Sequence, residues 1–399
     1  MNFLKKSKEA QYIDAWERCR MDFERGPKGS PRLDIFDLYA RYINPLHANY
    51  FMSLGTRENG KTYGALSLAL YMYAVTHTGY TAYVRRWDDE FPVADRRTLW
   101  DPLVNNGLVS VATGGEYDDV MYDAGAWYLC RDDNGTLVRD TEPIMIMFAI
   151  NTAYKRKSRA RGGVALIIFE EFVAASAGGY TGPGEEECVS WSNLVSTLIS
   201  SHDDPLIIMC GNTLNQYCPY FKFMGLTRIR DMQDGDVHVY DYAGNPDLHV
   251  VVSMSANGGK KKASDKFFAF DSPKLKAITG EAVWTMQIYP HIDGERPRNK
   301  DIFHFWIKME EDTLRVDVCN IGGNMFLLVR EPDILDKYDE ARDLIYQLAP
   351  DPRRNYRSNF SAPKTAAENK INMLIRAGKV FFDKNELGVV WDGFMASCR

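Results

Sequence analysis

An α/β fold built on a parallel sheet, followed by a smaller α+β domain, is the class that three features of the sequence predict. Short unbroken apolar runs alternate with helix-like stretches over the first half of the chain. A glycine-rich turn joins the first of these runs to a helix. Beyond "RIRDMQDGD" (228–236), short strands follow one another with little helix between them. Alternation of strand and helix argues for a parallel sheet, because parallel neighbours need a long return path that a helix supplies. The 399 residues are too many for one small domain.

The elements read as follows. Residues 4–25 form a charged amphipathic helix, and "PKGSPRLD" (27–34) is a turn-rich break. "YFMSL" (50–54) is a buried strand entering the glycine turn, and 61–77 is a helix apolar on most sides, with Gly79 as its stop signal. "TAYVRRW" (81–87) is a second strand. "WYLCRDDNGTLVRDTEPIMIMFAI" (127–150) reads as strand, turn, strand, a β-hairpin insertion spanning about 118–150. "VALIIFEEF" (164–172) and "PLIIMCGN" (205–212) are buried strands, with a helix over 186–201 between them. After the break come "VHVYDY", "HVVVSM", "KFFAF", "VWTMQIY", "IFHFWIKM", "TLRVDVC" and "NMFLLV" as strands. Helices near 333–349 and 361–377 and a closing "KVFFD" complete the chain. Three antiparallel strands, then helix and more strand, is the order of an RNase H-like domain. The expected organisation is an N-terminal helical extension over 1–45, an α/β domain over 46–228, a linker over 229–238 and the second domain over 239–399.

Composition narrows the function classes. Hydrophobic residues make up 45% and charged residues 26%, an ordinary globular balance. No apolar run reaches the roughly 18 residues of a membrane span, and "MNFLKKSKEAQYIDAWERCR" lacks the apolar core of a secretory signal. Seven cysteines stand singly, without C-x-x-C or zinc spacing, which favours reduced thiols in a cytoplasm. The formal charge of −6 excludes a globally basic nucleic-acid binder, so any DNA contact falls to local basic patches.

"GTRENGKT" matches the phosphate-loop pattern G-x-x-x-x-G-K-[ST] through Gly55, Gly60, Lys61 and Thr62, with Thr56, Arg57, Glu58 and Asn59 between the glycines. The glycines let backbone N–H groups turn towards a phosphate, Lys61 reaches the β- and γ-phosphates of ATP, and Thr62 offers a hydroxyl to Mg²⁺. A strand before it and a helix after it are the context the motif requires. "LIIFEE" supplies the second element. Glu170 is expected in the Mg²⁺ shell and Glu171 as the general base that polarises the attacking water. A catalytic glutamate on a strand indicates a P-loop ATPase of the additional-strand catalytic-glutamate (ASCE) class. Asn212, at the tip of the 205–212 strand, is a candidate γ-phosphate sensor or a plain turn residue. Arg85 and Arg86 end another strand, where phosphate contact and structural ion pairing are equal readings.

"GTRENGKT", "AYVRRWDDEF", "RKSRA", "IIFEEF" and "CGNTLNQYCPYFKF" resemble, in order and spacing, the DNA-packaging ATPases of the phi-twenty-nine-like small tailed phages. The likeness covers about 50–226, and is weaker from 239 on. It implies an ATP- and Mg²⁺-dependent ring, usually a homopentamer, docked in the host cytoplasm on the portal of an empty capsid. Such a ring drives double-stranded DNA inward, in some members with a structural RNA between ATPase and capsid. It also implies a vestigial nuclease domain. Two departures matter. The family usually has aspartate where Glu170 stands. The helix that carries its trans-acting arginine reads "NLVSTLISSHDDPL" (193–206) here, with Ser200 at the equivalent place. The substitute is expected in "KRKSRAR" (155–161): Lys157, which matches a family lysine, or Arg156, Arg159 or Arg161, acting on a neighbour's site or else forming a solvated basic face or a DNA-tracking loop.

"ANGGKKKASDK" (256–266) is a basic loop in which Lys260, Lys261 and Lys262 suit sequence-blind phosphate contact. "DPRRNYRSNF" with Lys364, Lys370, Arg376 and Lys379 makes the C-terminal end basic. An RNase H-type nuclease needs clustered carboxylates for two metal ions. Asp301 sits only at a strand edge and Asp317 is isolated, so nuclease activity is expected to be absent. A large terminase with a working nuclease and another DNA-stimulated P-loop ATPase are the alternatives.

Overall fold

The structure, a computed structural model, describes residues 7–23, 35–55, 60–155, 163–174, 179–181, 185–199, 204–213, 218–233, 235–255, 289–292, 301–309, 312–333, 336 and 338–398. The chain divides into two compact units. One is drawn from Met1–Ala174, Glu186–Thr213 and Phe223–Ala269, the other from Ala175–Glu185, Leu214–Lys222 and Phe270–Arg399.

The first unit is built on a ten-stranded sheet: β1 (Tyr50–Gly55), β2 (Tyr80–Arg85), β3 (Asp119–Asp123), β4 (Ala126–Asp133), β5 (Thr136–Arg139), β6 (Met145–Ala149), β7 (Val164–Glu170), β8 (Leu206–Asn212), β9 (Val237–Tyr242) and β10 (Asn245–Met254). The order is β3-β4-β6-β2-β7-β8-β1-β10-β9, with β5 on β4. From β6 to β10 every neighbour is parallel. The apolar runs explain this. β6 and β7 are buried at every residue, as strands covered on both faces must be. Phe51, Leu166, Ile168 and Ile208 pack with Leu66 and Leu70 of helix Lys61–Leu70 in one core, which Tyr12 and Trp16 of helix Lys8–Phe23 also enter. Each such fully buried side chain contributes roughly 1.5–3 kcal/mol.

Two sequence expectations change here. The 118–150 segment does contain a hairpin, β4–β5. Its Asn134-Gly135 turn has both residues at positive φ (53° and 87°), the conformation that matches strand twist. The apolar run after it is not part of an insertion, however. β6 pairs in parallel with β2 inside the main sheet, with Thr81 opposite Met145 and Val84 opposite Phe148. Likewise the expected linker and start of the second domain, 229–238 and 239, fall elsewhere. β9 and β10 extend the first sheet, Tyr50 to Leu54 pairing with Val250 to Met254. Alternating polarity marks these strands as sheet members without saying which sheet.

The second unit carries a six-stranded sheet: β11 (Asp301–Met309), β12 (Asp312–Ile321), β13 (Asn324–Arg330), β14 (Ile345–Gln347), β15 (Tyr356–Arg357) and β16 (Val380–Phe382) in the order β15-β14-β11-β12-β13-β16. β11, β12 and β13 form an antiparallel meander, while β14 and β15 add in parallel beside β11. This is the RNase H-like order. Phe305, Ile307, Val316 and Val329 pack against Ile371 and Leu374 of helix Ala366–Arg376 and Trp391 and Phe394 of helix Asn385–Ser397. Helix Ala366–Arg376 starts where "TAAE" provides a cap, with the Thr365 hydroxyl accepting from Glu368 N at 3.1 Å. Among the described residues of 333–349 there is no helix. Aspartate side chains take backbone donors that it would have used: Asp343 accepts from Asp339 N (2.8 Å) and Asp339 from Ala341 N (2.9 Å). The strands expected at "KFFAF" and over most of "VWTMQIY" lie outside the described residues.

Candidate nucleotide site

The site lies at the carboxyl ends of β1, β7 and β8. β8 separates the glycine-loop strand from the glutamate strand, with Gly55 opposite Asn212 and Glu170 opposite Cys210. That intervening strand is the ASCE arrangement, and it brings Asn212 to the loop from far along the chain. Gly60 takes φ 72°, a left-handed conformation that favours glycine, and starts helix Lys61–Leu70. The positive end of the helix dipole therefore lies at the cleft, which Gly60, Lys61, Thr62 and Tyr63 line.

Lys61 Nζ donates to Asn212 Oδ1 at 3.1 Å and to Gly55 O at 3.3 Å. These bonds hold the ammonium over the loop's entry. Glu170 is only 5% exposed, and its Oε1 has no hydrogen-bond partner. Burial raises its pKa, against a lowering by the hydrogen bond from Thr62 and by the charges of Arg85 and Lys61. An orphaned, desolvated carboxylate oxygen beside a threonine hydroxyl suits a divalent cation. The set Thr62 and Glu170 therefore fits Mg²⁺ through the residues it offers.

Glu171 follows the end of β7 at φ 57°, and its side chain is 53% exposed. Gly60, Lys61, Thr62, Glu170, Glu171 and Asn212 all line one cleft of about 510 Å³. Its other wall is apolar, from Leu66, Leu99, Pro102 and Leu103. Gly211 also belongs here. A Cβ on it would approach Phe172 to 2.7 Å and Val173 to 2.8 Å, so only glycine lets β8 run this close to the segment after β7.

The adjacent arginines of "YVRRW" separate into two roles. Arg86 is buried and points inward. Its Nε donates to both carboxylate oxygens of fully buried Glu187 at 2.9 Å, Nη1 to Glu171 O at 3.0 Å and Nη2 to Phe172 O at 2.7 Å. It fixes the turn that carries Glu171. Arg85 instead donates from Nη2 to Glu171 Oε2 at 3.0 Å. Sequence reasoning left the two undivided and missed Glu187. A signal was present: Glu187 shares with Trp191, Leu194, Val195 and Leu198 the apolar face of helix Glu186–Leu198, where an acid requires a buried partner.

Thr56, Arg57, Glu58, Asn59, Arg156, Lys157, Arg159, Arg161, Ser200, Lys260, Lys261 and Lys262 lie outside the described residues.

In the second unit Asp317 is not isolated, as the sequence suggested. Arg315 Nε and Arg330 Nε each donate to it at 2.7 Å, and the two arginines share Asp336 as a further partner. Burial pushes the Asp336 carboxyl up, but the hydrogen bond from Arg330 and the neighbouring positive charges outweigh it and take it to about 2. Among the described residues no group of three or more His, Cys, Asp or Glu is arranged to hold a metal ion. Two arginines of the basic C-terminal stretch are paired with carboxylates. Arg353 pairs with Asp351 at 2.7 Å and Glu340 at 3.1 Å, and Arg357 with Glu368 at 2.7 Å.

No protein-family model matches the chain, and no curated protein matches it. Solved structures do. The bacteriophage Phi-29 viral genome packaging motor assembly is similar over 90% of this chain and 98% of its own, at TM-score 0.50 and 16% identity. The Phi-28 gp11 DNA packaging motor matches over 90% and 97%, at TM-score 0.47 and 15% identity. The HK97 bacteriophage large terminase matches over 79% and 68%, at TM-score 0.38 and 15% identity. At such identities the first of these speaks to fold alone. The chain has the fold of the Phi-29 packaging motor protein, an ASCE P-loop domain followed by a smaller α/β unit.

Proposed function

We propose that the chain is an ATP-hydrolysing motor subunit that translocates double-stranded viral DNA into a preformed capsid through its portal. One observation carries the reading: three strand tips from distant parts of the sequence meet around one cleft, bringing Lys61, Asn212, Glu170 with Thr62, and Glu171 to its walls. The fold shared with a genome packaging motor supports the choice among P-loop ATPases.

Lys61 neutralises the β- and γ-phosphates, and the loop N–H groups after Gly60 bind their oxygens. Thr62 and Glu170 would hold Mg²⁺, which supplies further neutralisation of phosphate charge. Asn212 orients the terminal phosphate or the attacking water. Glu171 accepts the water's proton as general base. Lys157 or Arg159 completes the charge balance from a neighbouring subunit of a homopentameric ring. Lys260, Lys261 and Lys262 track the DNA backbone, and the ring works in the host cytoplasm on the portal vertex, with or without a structural RNA.

The expected result is steady-state ATPase activity that double-stranded DNA raises several-fold. Hydrolysis indifferent to DNA across a range of DNA lengths would sink the motor reading. A large terminase with a working nuclease is the second reading. The two arginines that neutralise Asp317 disfavour it, because a guanidinium fixed on a carboxylate displaces a metal ion. Supercoiled plasmid incubated with the chain and Mn²⁺ is expected to stay uncut. Nicking or linearisation that scales with protein and stops with chelator would refute this.

A further inference from the structure

Helix Lys8–Phe23 lies along the helix that the phosphate loop starts, and side chains of the two meet at intervals of one turn. Trp16 stacks on Tyr63, with ring centroids 5.4 Å apart and planes at 22°. Tyr12 Oη donates to Ser67 O at 2.8 Å, and Tyr71 Oη donates to Glu9 Oε1 at 2.7 Å. Tyr63, Ser67 and Tyr71 are spaced by four residues, and Glu9, Tyr12 and Trp16 by three and four. Each set therefore shares one helix face, and the two helices run antiparallel. Ser67 and Tyr71 do not line the nucleotide cleft, but Tyr63 does.

Tyr63 directly follows Thr62, and its hydroxyl accepts a hydrogen bond from Asn106 Nδ2 at 2.8 Å. Asn106 caps helix Asp101–Asn105, whose Pro102 and Leu103 line the same cleft. Tyr63 thus joins two of the elements that shape the cleft. Its ring turns on two side-chain bonds, and the Asn106 contact is exposed, where water competes for it. That contact alone is a weak restraint. The stack is a firmer one, because Trp16 is only 6% exposed and is itself packed in the core. Trp16 is not part of the cleft wall, so it reaches the cleft through Tyr63.

We infer that Trp16, on the N-terminal helix, is a positioning residue for nucleotide binding, which holds the Tyr63 ring in the wall of the cleft. This rests on the ATPase reading. Hydrolysis is assigned to Lys61, Asn212 and Glu171, so the loss of Trp16 falls on binding. Trp16→Leu keeps an apolar side chain in the interior and removes the stack. In it, KM for ATP is expected to rise roughly two- to tenfold, the range over which one aromatic pair acts, with kcat within about twofold. The Kd of a fluorescent ATP analogue should rise by the same factor. Trp16→Phe, which keeps a ring, is expected to recover most of the affinity. Tyr12→Phe, which removes the neighbouring contact between the same two helices, should lower the melting temperature and leave KM unchanged.

The decisive measurement is the double variant. If Trp16 acts only through Tyr63, Trp16→Leu adds no further loss of analogue affinity to Tyr63→Leu. Additive losses, an unchanged KM in Trp16→Leu, or a fall in kcat at unchanged KM would each overturn the positioning role. So would an equal rise of KM in Tyr12→Phe, which would trace the effect to helix docking as a whole. Melting curves set an assay temperature at which every variant is folded, and Trp16→Met, a flexible apolar replacement, gives a second reading of the same loss. An unmodified chain that neither binds the analogue nor hydrolyses ATP with DNA would remove the ATPase reading instead.

Discussion

Lys61→Ala is expected to lower kcat/KM for ATP by about a hundred- to a thousandfold, the scale on which loss of one preorganised charge at a transition state is felt. The same change should cost the fold little. In the structure Lys61 gives up two hydrogen bonds, to Gly55 O and Asn212 Oδ1, both at a cleft surface that water can reach. Such bonds contribute about 1 kcal/mol each. A collapse of phosphate release at a near-normal melting temperature is therefore the signature of a functional lysine. Phosphate release that survives the substitution would remove the phosphate-loop assignment itself. Parallel melting of both proteins separates this outcome from unfolding.

Arg86→Ala is expected to have the opposite signature, a large loss of stability. Arg86 and Glu187 are 5% and 0% exposed, and Nε of Arg86 is shared between the two carboxylate oxygens of Glu187 in the interior. Removing one member of a buried ion pair costs about 3–5 kcal/mol. It also strands the carbonyls of Glu171 and Phe172. For a unit of this size the melting temperature should fall by roughly 10 °C. Hydrolysis should fall with it, because the turn bearing Glu171 loses its anchor. Replacing the pair together, Arg86→Met with Glu187→Leu, should recover much of the stability, since an apolar pair leaves no charge uncompensated. The exposed pair Arg139–Asp123, at 45% and 52% exposure, is the natural control, worth about 0–1 kcal/mol. Equal melting shifts at the two sites would contradict the assignment of Arg86 as the buried anchor.

Much of this molecule is written in local pattern. "YFMSL", "VALIIFEEF" and "PLIIMCGN" announce buried parallel strands because apolar residues stand at consecutive positions instead of alternating with polar ones. "GTRENGKT" announces a phosphate loop because glycines, lysine and threonine stand where backbone sterics and charge need them. The hairpin at "DDNG" follows from the backbone preference of two turn residues. Each of these depends on neighbours within about ten positions, which is the range over which sequence dictates conformation.

Where position in space decides, sequence falls short for a physical reason. Strand neighbours are chosen by hydrogen-bond register between segments distant in the chain, so β6 joined the main sheet rather than a hairpin and β9–β10 joined β1 rather than the second unit. The helix expected near 333–349 is absent from the described residues, where aspartates compete for its backbone donors, a competition that helical propensity alone does not weigh. Asp317 looked isolated until folding set Arg315 beside it from the same strand and Arg330 from the next. Above all, two consecutive arginines at one strand end are alike in sequence. Arg86 meets the buried Glu187 and Arg85 the half-exposed Glu171, and only the packed structure says which glutamate each would meet.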